Sequence, residues 1–191
     1  MKKVFLIIMI LASVSFSMAQ EEAHRYEIKS GIIHEYSELN GHITQAIRYF
    51  DNYGDYEALV QTIDMGDLGS YDNITVTKKE QAWMYNESGK PKSFDNPLFD
   101  LTFVNPSQAV VEKYKIVDTG VDEEVAGRMC RKFTYETLMG RRNKVIYNTV
   151  WVYKGISLKL IMKNGRQETL NLVTEFEENA EVAPEVFDIP Q

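Results

Sequence analysis

The sequence predicts a mainly β protein built on a strongly curved antiparallel sheet, a half-open barrel with one or two short helices on its concave face. The first supporting observation is that runs rich in Val, Ile, Tyr, Phe and Thr fill most of the chain, since such side chains suit a pleated, half-buried surface. The second is that short Gly-containing breaks separate these runs, as hairpin connections require. We therefore expect about eight to ten strands in up-and-down order.

Three consecutive strands at residues 128–138, 144–153 and 156–162 form the centre of the predicted sheet. The breaks at residues 139–142 and at Lys154-Gly155 are short enough for hairpins. Successive residues of the middle strand are apolar although they point to opposite faces. Both faces of this part of the sheet should therefore be at least partly covered.

The N-terminal part predicts two hairpins. Alternation over residues 24–38 indicates a half-buried strand, and Asn40-Gly41 is the strongest hairpin signal in the chain because both residues tolerate positive φ. Further strands are expected at residues 42–50 and 56–65. A helix is the alternative for residues 43–50, because their apolar positions also fit helical spacing, but the two flanking turns favour a strand.

The middle of the chain is less regular. A loop is expected at residues 66–73, followed by short strands at residues 74–77 and 81–85. Three prolines between residues 90 and 106 interrupt any helical or strand periodicity and predict an irregular crossing segment. Its apolar part at residues 98–104 must be covered by other parts of the protein. Asn105-Pro106-Ser107 then favours a short helix over residues 108–114.

The remaining segments complete the sheet. Residues 121–124 predict a charged turn, and residues 166–178 predict a last strand that follows a second Asn-Gly hairpin. Residues 183–190 begin like a helix and end with alternating apolar residues. We expect this tail to dock back onto the sheet.

Residues 1–19 have the pattern of a signal peptide. Lys2 and Lys3 precede an apolar run over residues 4–14, and small residues lie where a signal peptidase cleaves. The alternative, a transmembrane anchor, is disfavoured because about 20 apolar residues are needed to span a bilayer. No cysteine follows the run for lipid attachment. We expect a single domain at residues 20–191, periplasmic or secreted, that does not span the membrane.

Charge argues against nucleic acid as a partner. Residues 1–19 carry Lys2 and Lys3 and no acidic residue, so their removal changes the net charge from −7 to −9. Phosphate backbones require concentrated Lys and Arg, which this balance does not offer. Cys130 is the only cysteine, so an intramolecular disulfide cannot form.

The sequence offers no convincing catalytic or metal site. Cys130 lies within a strand, where a small packed side chain is a more common role than a nucleophile. His34 and His42 flank a turn but supply two metal ligands at most, and the acidic runs lack calcium-loop spacing. Motifs for serine hydrolases, phosphate binding and zinc proteases are missing. We predict a protein that is not an enzyme and that uses neither a cofactor nor a metal.

Two alternatives describe what covers the concave face. Either the segment at residues 98–104 and the short helix pack the interior completely, or an apolar cavity remains that accepts a lipid. An open sheet edge or aromatic patch would instead suit a cell-envelope protein as partner. The residues that we predict to line an apolar cavity are Trp151, Tyr153, Leu158, Leu160, Met162, Phe133 and Tyr135.

Four segments carry a resemblance to a known family: residues 49–54 (YFDNYG), 125–130 (VAGRMC), 151–159 (WVYKGISLK) and 184–190 (PEVFDIP). In this order they resemble secreted Bacteroidetes-type proteins with LolA/LolB-like folds, including DUF4412-like domains. The resemblance implies a half-open antiparallel barrel plugged by short helices. It also implies outer-membrane biogenesis as the setting and non-covalent binding of a lipid or lipoprotein acyl chain. The motifs mark turns and strands, so no catalytic residue is implied.

Overall fold

The fold is a single antiparallel sheet in a computed structural model that describes residues 24–64, 66–86, 89–140 and 143–190. Within these ranges the protein contains eleven strands and one α-helix. The strands are β1 (Gly31–Leu39), β2 (His42–Asp51), β3 (Tyr56–Asp64), β4 (Ser70–Lys78), β5 (Gln81–Asn86), β6 (Lys92–Asp95), β7 (Val117–Val125), β8 (Arg128–Met139), β9 (Lys144–Tyr153), β10 (Ile156–Asn164) and β11 (Gln167–Glu178), and the helix is α1 (Gln108–Tyr114). The predicted signal peptide lies outside the described residues.

The strand order is β6-β5-β4-β3-β2-β1-β11-β10-β9-β8-β7. Most neighbours are consecutive in sequence, and the pairing of β1 with β11 joins the two halves of the chain. The sheet does not close, because β6 and β7 remain its two edges. The predicted half-open antiparallel barrel is therefore confirmed. The Asn40-Gly41 hairpin is confirmed too, with φ of 53° and 81° at its two central residues.

One face of the sheet is covered by residues 96–116, which we call the plug. The side chains of Leu98, Leu101 and Phe103, together with Tyr114 of α1, pack against β8, β9 and β10. The Phe103 ring lies 5.2 Å from that of Phe133, centroid to centroid. The helix begins where the Ser107 hydroxyl accepts a hydrogen bond from the Val110 amide, as its sequence predicts. We call this side of the sheet the plug face.

The opposite face is partly covered by the C-terminal tail, residues 180–190. Val186, Phe187 and Ile189 pack in a cluster with Ala58 and Val76 of β3 and β4. The Tyr85 hydroxyl donates a 3.0 Å hydrogen bond to the carbonyl oxygen of Asp188 in the tail. The expectation that the tail docks onto the sheet is therefore confirmed.

Residues 24–30, which we call the N-terminal bridge, connect two distant turns at one end of the sheet. The Tyr26 amide donates to the Tyr53 carbonyl between β2 and β3, and the Glu27 amide donates to the Lys154 carbonyl between β9 and β10. The Tyr26 and Ile28 side chains are buried. The bridge thus connects the two walls of the half-barrel. The prediction that a strand begins at residue 24 was wrong, because the strand begins at Gly31.

Three further expectations were wrong. Residues 121–124 are part of edge strand β7 and not a turn, because an edge strand exposed on nearly its whole length carries no apolar alternation. Residues 70–73 belong to β4, since their polar side chains lie near the solvent while their backbone pairs with β3. Strand β7 and the short edge strand β6 were not expected, and they raise the number of strands from the expected eight to ten to eleven.

Candidate binding cavity

A cavity of about 250 Å³ lies between the plug, the N-terminal bridge and the plug face of the sheet. Strands β8, β9 and β10 contribute Tyr135, Val150, Leu158 and Leu160 to its wall. The plug contributes Leu98, Leu101 and Phe103 on the other side. This half of the cavity is therefore lined mainly by apolar side chains, as ligand sites usually are.

The other half of the cavity wall is polar. Glu35 of β1, Arg48 of β2 and Asn171 of β11 line it, together with Arg25 of the bridge. Because β2, β1 and β11 are neighbours in the sheet and β10, β9 and β8 follow in order, the polar and apolar walls lie side by side. The cavity is amphipathic across the width of the sheet.

A bulge in β10 places Leu158 and Leu160 in the wall of the cavity. Ser157 pairs with Val152, but Lys159 pairs with Trp151, so Leu158 is an extra residue in the ladder. Ser157, Leu158 and Leu160 consequently all line the cavity. The Leu158 side chain is only 1% exposed, and this position anchors the wall.

Two ion pairs hold the polar wall. Arg25 Nη1 lies 2.7 Å from Glu57 Oε2, and Arg48 forms an ion pair and hydrogen bond with Glu35. The Tyr26 hydroxyl also donates to Glu57. Side-chain exposure is 19% for Arg48 and 12% for Glu35, so little water surrounds this second pair. Ion pairs of this kind are strongly sensitive to the loss of one partner.

The same cluster shifts the ionisation of its members. Burial opposes the charge of Glu57, yet Arg25 and Arg48 and hydrogen bonds from Tyr26 and Arg25 hold its pKa below the usual value. Burial raises the pKa of Tyr26 to about 12, against the opposing effect of Arg25. Burial lowers the pKa of Arg48, but Glu35 more than compensates, so the net pKa is raised. Arg25, Arg48 and Glu57 are therefore ionised at neutral pH.

The predicted cavity residues do not all lie together. Tyr135, Leu158 and Leu160 line the cavity, and Phe133 packs beside it against Phe103 of the plug. Met162 lines a neighbouring cavity of about 220 Å³. This second cavity shares Glu35 and Asn171 with the first, so the two adjoin along the plug face.

Trp151 and Tyr153 lie on the opposite face of the sheet, because they alternate with Val150 and Val152. The Trp151 indole donates a 2.7 Å hydrogen bond to Glu123, and the Lys159 ammonium lies 4.1 Å from its ring centroid. These contacts give the indole polar and cationic partners outside the cavity.

The polar wall was missed in the sequence, although a signal for it exists. Ala46 and Phe50 of β2 are buried, and Arg48 lies between them on the same face. Glu35 has the same relation to Ile33 in β1. A charged residue in phase with buried positions on two adjacent strands indicates an internal ion pair.

Cys130 is fully buried, and its thiol donates to the carbonyl oxygen of Arg128. Burial raises the pKa of this thiol to about 11. The fraction of thiolate at neutral pH is then about 100-fold below that of an ordinary cysteine. We predict that a thiol reagent such as DTNB does not label the folded protein within the time it needs to label the unfolded protein completely; rapid labelling without denaturant would contradict this.

Two kinds of feature are not found among the residues that the structure describes. Among the residues that the structure describes, no group of three His, Cys, Asp or Glu side chains lies close enough to bind a metal ion. No helix in the described ranges is both long and apolar enough to cross a membrane.

No protein-family model matches the sequence, and no curated protein matches it significantly. Solved structures do. A chain of the MucA/MucB complex of Pseudomonas aeruginosa has a TM-score of 0.52 at 15% identity, over 84% of this chain and 56% of that chain. LprF from Mycobacterium bovis has a TM-score of 0.41 at 10% identity, over 85% and 89% of the two chains. A putative outer membrane lipoprotein-sorting protein domain from Vibrio parahaemolyticus has a TM-score of 0.45 at 12% identity, over 86% and 92%.

The similarity to the MucA/MucB chain, with a TM-score above 0.5, shows the fold alone. The chain spans little more than half of the MucA/MucB chain that it matches, so that protein's assembly does not transfer to this one. At 15% identity the shared feature is the curved antiparallel sheet.

Proposed function

We propose that this protein is a non-enzymatic binding or carrier protein of the periplasm that holds a hydrophobic ligand, namely a lipid, an acyl chain or the acyl chains of a lipoprotein. The observation that carries the proposal is the cavity between plug and sheet, whose apolar half is formed by β8, β9, β10 and the plug. The predicted signal peptide, and the resemblance to DUF4412-like proteins of the Bacteroidetes type, support the location and the class.

The size of the cavity indicates how a ligand would enter. Its 250 Å³ lies below the range of about 300–1,000 Å³ that is usual for small-molecule sites. The plug packs on the sheet through apolar side chains such as Leu98, Leu101 and Phe103. An acyl chain can replace these contacts with its own, so an outward shift of the plug would enlarge the cavity at little cost.

Native mass spectrometry of residues 20–191, purified from the periplasm, tests the proposal directly. We expect an apolar adduct at one molecule per chain, which lipid extraction then identifies. A clean mass of the protein alone, combined with no uptake of an apolar fluorescent probe, would contradict ligand binding.

A substitution within the cavity locates the ligand. We predict that Leu160→Phe reduces the affinity for an apolar fluorescent probe by about tenfold, because a larger side chain occupies volume that the ligand requires. Leu170→Phe is the matched control, since Leu170 lies on the next strand and points to the opposite face. The two variants should have similar Tm values. Equal loss of affinity in both would show that the probe binds elsewhere.

The open edge β7 favours a second candidate, an envelope module that binds a protein. Eight of the nine residues of this strand are exposed, and Val117 and Val121 are apolar. An added strand could pair with such an edge. This candidate gains weight if the native mass spectrum shows no lipid.

A further inference from the structure

We propose that the cavity selects an acyl chain with a neutral, hydrogen-bonding head group, such as an amide, over the same chain with a carboxylate. The inference rests on the proposed function and specifies its ligand. Its evidence is the polar wall formed by the bridge with β2, β1 and β11.

Two buried polar atoms in this wall lack partners in the described part of the protein. They are Nε of Arg25, a donor, and Oδ1 of Asn171, an acceptor, and both residues line the cavity. Buried polar atoms without a hydrogen bond are rare in folded proteins and call for an explanation. A ligand that offers one acceptor and one donor would satisfy both.

Both arginines of the wall already form ion pairs with glutamates. Arg25 is paired with Glu57, and Arg48 is paired with Glu35, so the cluster contains two cations and two anions. A carboxylate in the cavity would approach Glu35, which itself lines the wall. Each arginine already has a glutamate as its ion-pair partner, so a carboxylate would lose its water without gaining an unpaired cation.

The head group is defined by these two conditions. An amide accepts through its carbonyl oxygen and donates through its N–H, so it can pair with both Arg25 Nε and Asn171 Oδ1. A carboxylate accepts only and leaves Asn171 without a donor. The apolar wall, with Leu158 and Leu160, lies beside these groups and would take the chain.

Competition between ligands of one chain length tests the selectivity. Decanamide and decanoate are titrated at neutral pH against the protein loaded with an apolar fluorescent probe. We expect decanamide to displace the probe at a concentration about tenfold lower than decanoate. Equal or stronger displacement by decanoate would overturn the inference.

Substitution of Asn171 identifies the group responsible. Asn171→Leu should weaken decanamide binding about tenfold and leave decanoate unchanged, so that the preference disappears. Asn164→Leu is the matched control, because Asn164 also has a buried unpartnered Oδ1 but does not line the cavity. If Asn171→Leu folds poorly, Asn171→Val supplies the same test with a side chain that suits a strand.

The outcomes separate the two proposals. If the probe is not taken up and neither ligand binds, the proposed function fails. If the probe binds in the cavity but decanamide has no advantage, or if the advantage survives in Asn171→Leu, the proposed function stands and the head-group selectivity is overturned.

Discussion

Gly155→Ala will destabilise the folded protein by about 3 kcal/mol and lower its Tm by roughly 10 °C. A Cβ atom at this position would lie 2.5 Å from the carbonyl oxygen of Arg25 and 2.6 Å from Cγ2 of Val104. Real Cβ atoms do not approach other atoms this closely, so the bridge and the plug would both have to move. Thermal unfolding followed by circular dichroism measures the effect.

Gly127→Ala is the control. Gly127 closes the hairpin between β7 and β8 as Gly155 closes the one between β9 and β10, and both have positive φ, 73° and 84°. A Cβ at Gly127 meets nothing within 4 Å. Its substitution should therefore cost only the conformational penalty, about 1 kcal/mol. Equal losses in the two variants would mean that the contacts of the Gly155 turn do not hold the bridge and plug in place.

Gly155→Ala should affect ligand binding as well as stability. The Arg25 carbonyl that a Cβ would displace accepts a hydrogen bond from the Thr102 hydroxyl of the plug. Gly155 also lines the cavity. The turn between β9 and β10 is thus the point where sheet, bridge and plug meet, and its disturbance should loosen the cavity as well as lower the Tm.

Local signals in the sequence were sufficient for most of the elements. The Asn40-Gly41 hairpin, helix α1 and the strands from β8 to β11 follow from turn residues, a helix cap and alternation within short windows. Strand β7 was not predicted because an exposed edge strand buries no face and so shows no alternation.

The composition of the cavity depended on a feature that the sequence does not reveal. Tyr153 pairs with Ile156 across the hairpin, so simple alternation would place Leu158 and Leu160 on the face of Trp151. The bulge at Leu158 shifts the register by one residue, and Leu160 lies opposite Val150 on the plug face instead. Trp151 and Leu160, predicted to lie together, are therefore on different faces.

The polar wall depended on long-range pairing. Asn171 lies beside β1 because β11, the last strand in the chain, pairs with β1, the first. Ser37 of β1 is the residue opposite Asn171. Arg25 reaches the wall only because the bridge crosses from one turn to another. Neither relation has a local signal, so the places of Asn171 and Arg25 in the wall could not be predicted from the sequence, unlike those of Arg48 and Glu35.

Glu57→Gln will destabilise the protein by about 2–4 kcal/mol at neutral pH, because it leaves Arg25 without its ion-pair partner in a poorly solvated site. Glu57 is 16% exposed and Arg25 is 25% exposed, so the loss should be somewhat smaller than for a fully buried pair. Urea unfolding gives the free energy. Glu168→Gln is the control, because the Lys163–Glu168 pair is more than half exposed and should contribute at most about 1 kcal/mol.

The pH dependence distinguishes a lost charge from a lost contact. The pKa of Glu57 in the folded protein is lowered, because the effect of Arg25 and Arg48 outweighs the opposing effect of burial. Its ionised form therefore stabilises the fold above the unfolded pKa of about 4.3, and this contribution is lost as the pH falls through the lower folded value. The difference in unfolding free energy between wild type and Glu57→Gln should accordingly be constant from neutral pH to about pH 5 and shrink below about pH 4. A difference that does not change with pH would show that the interaction of Glu57 with the arginines is not electrostatic, and that only packing and hydrogen bonds were lost.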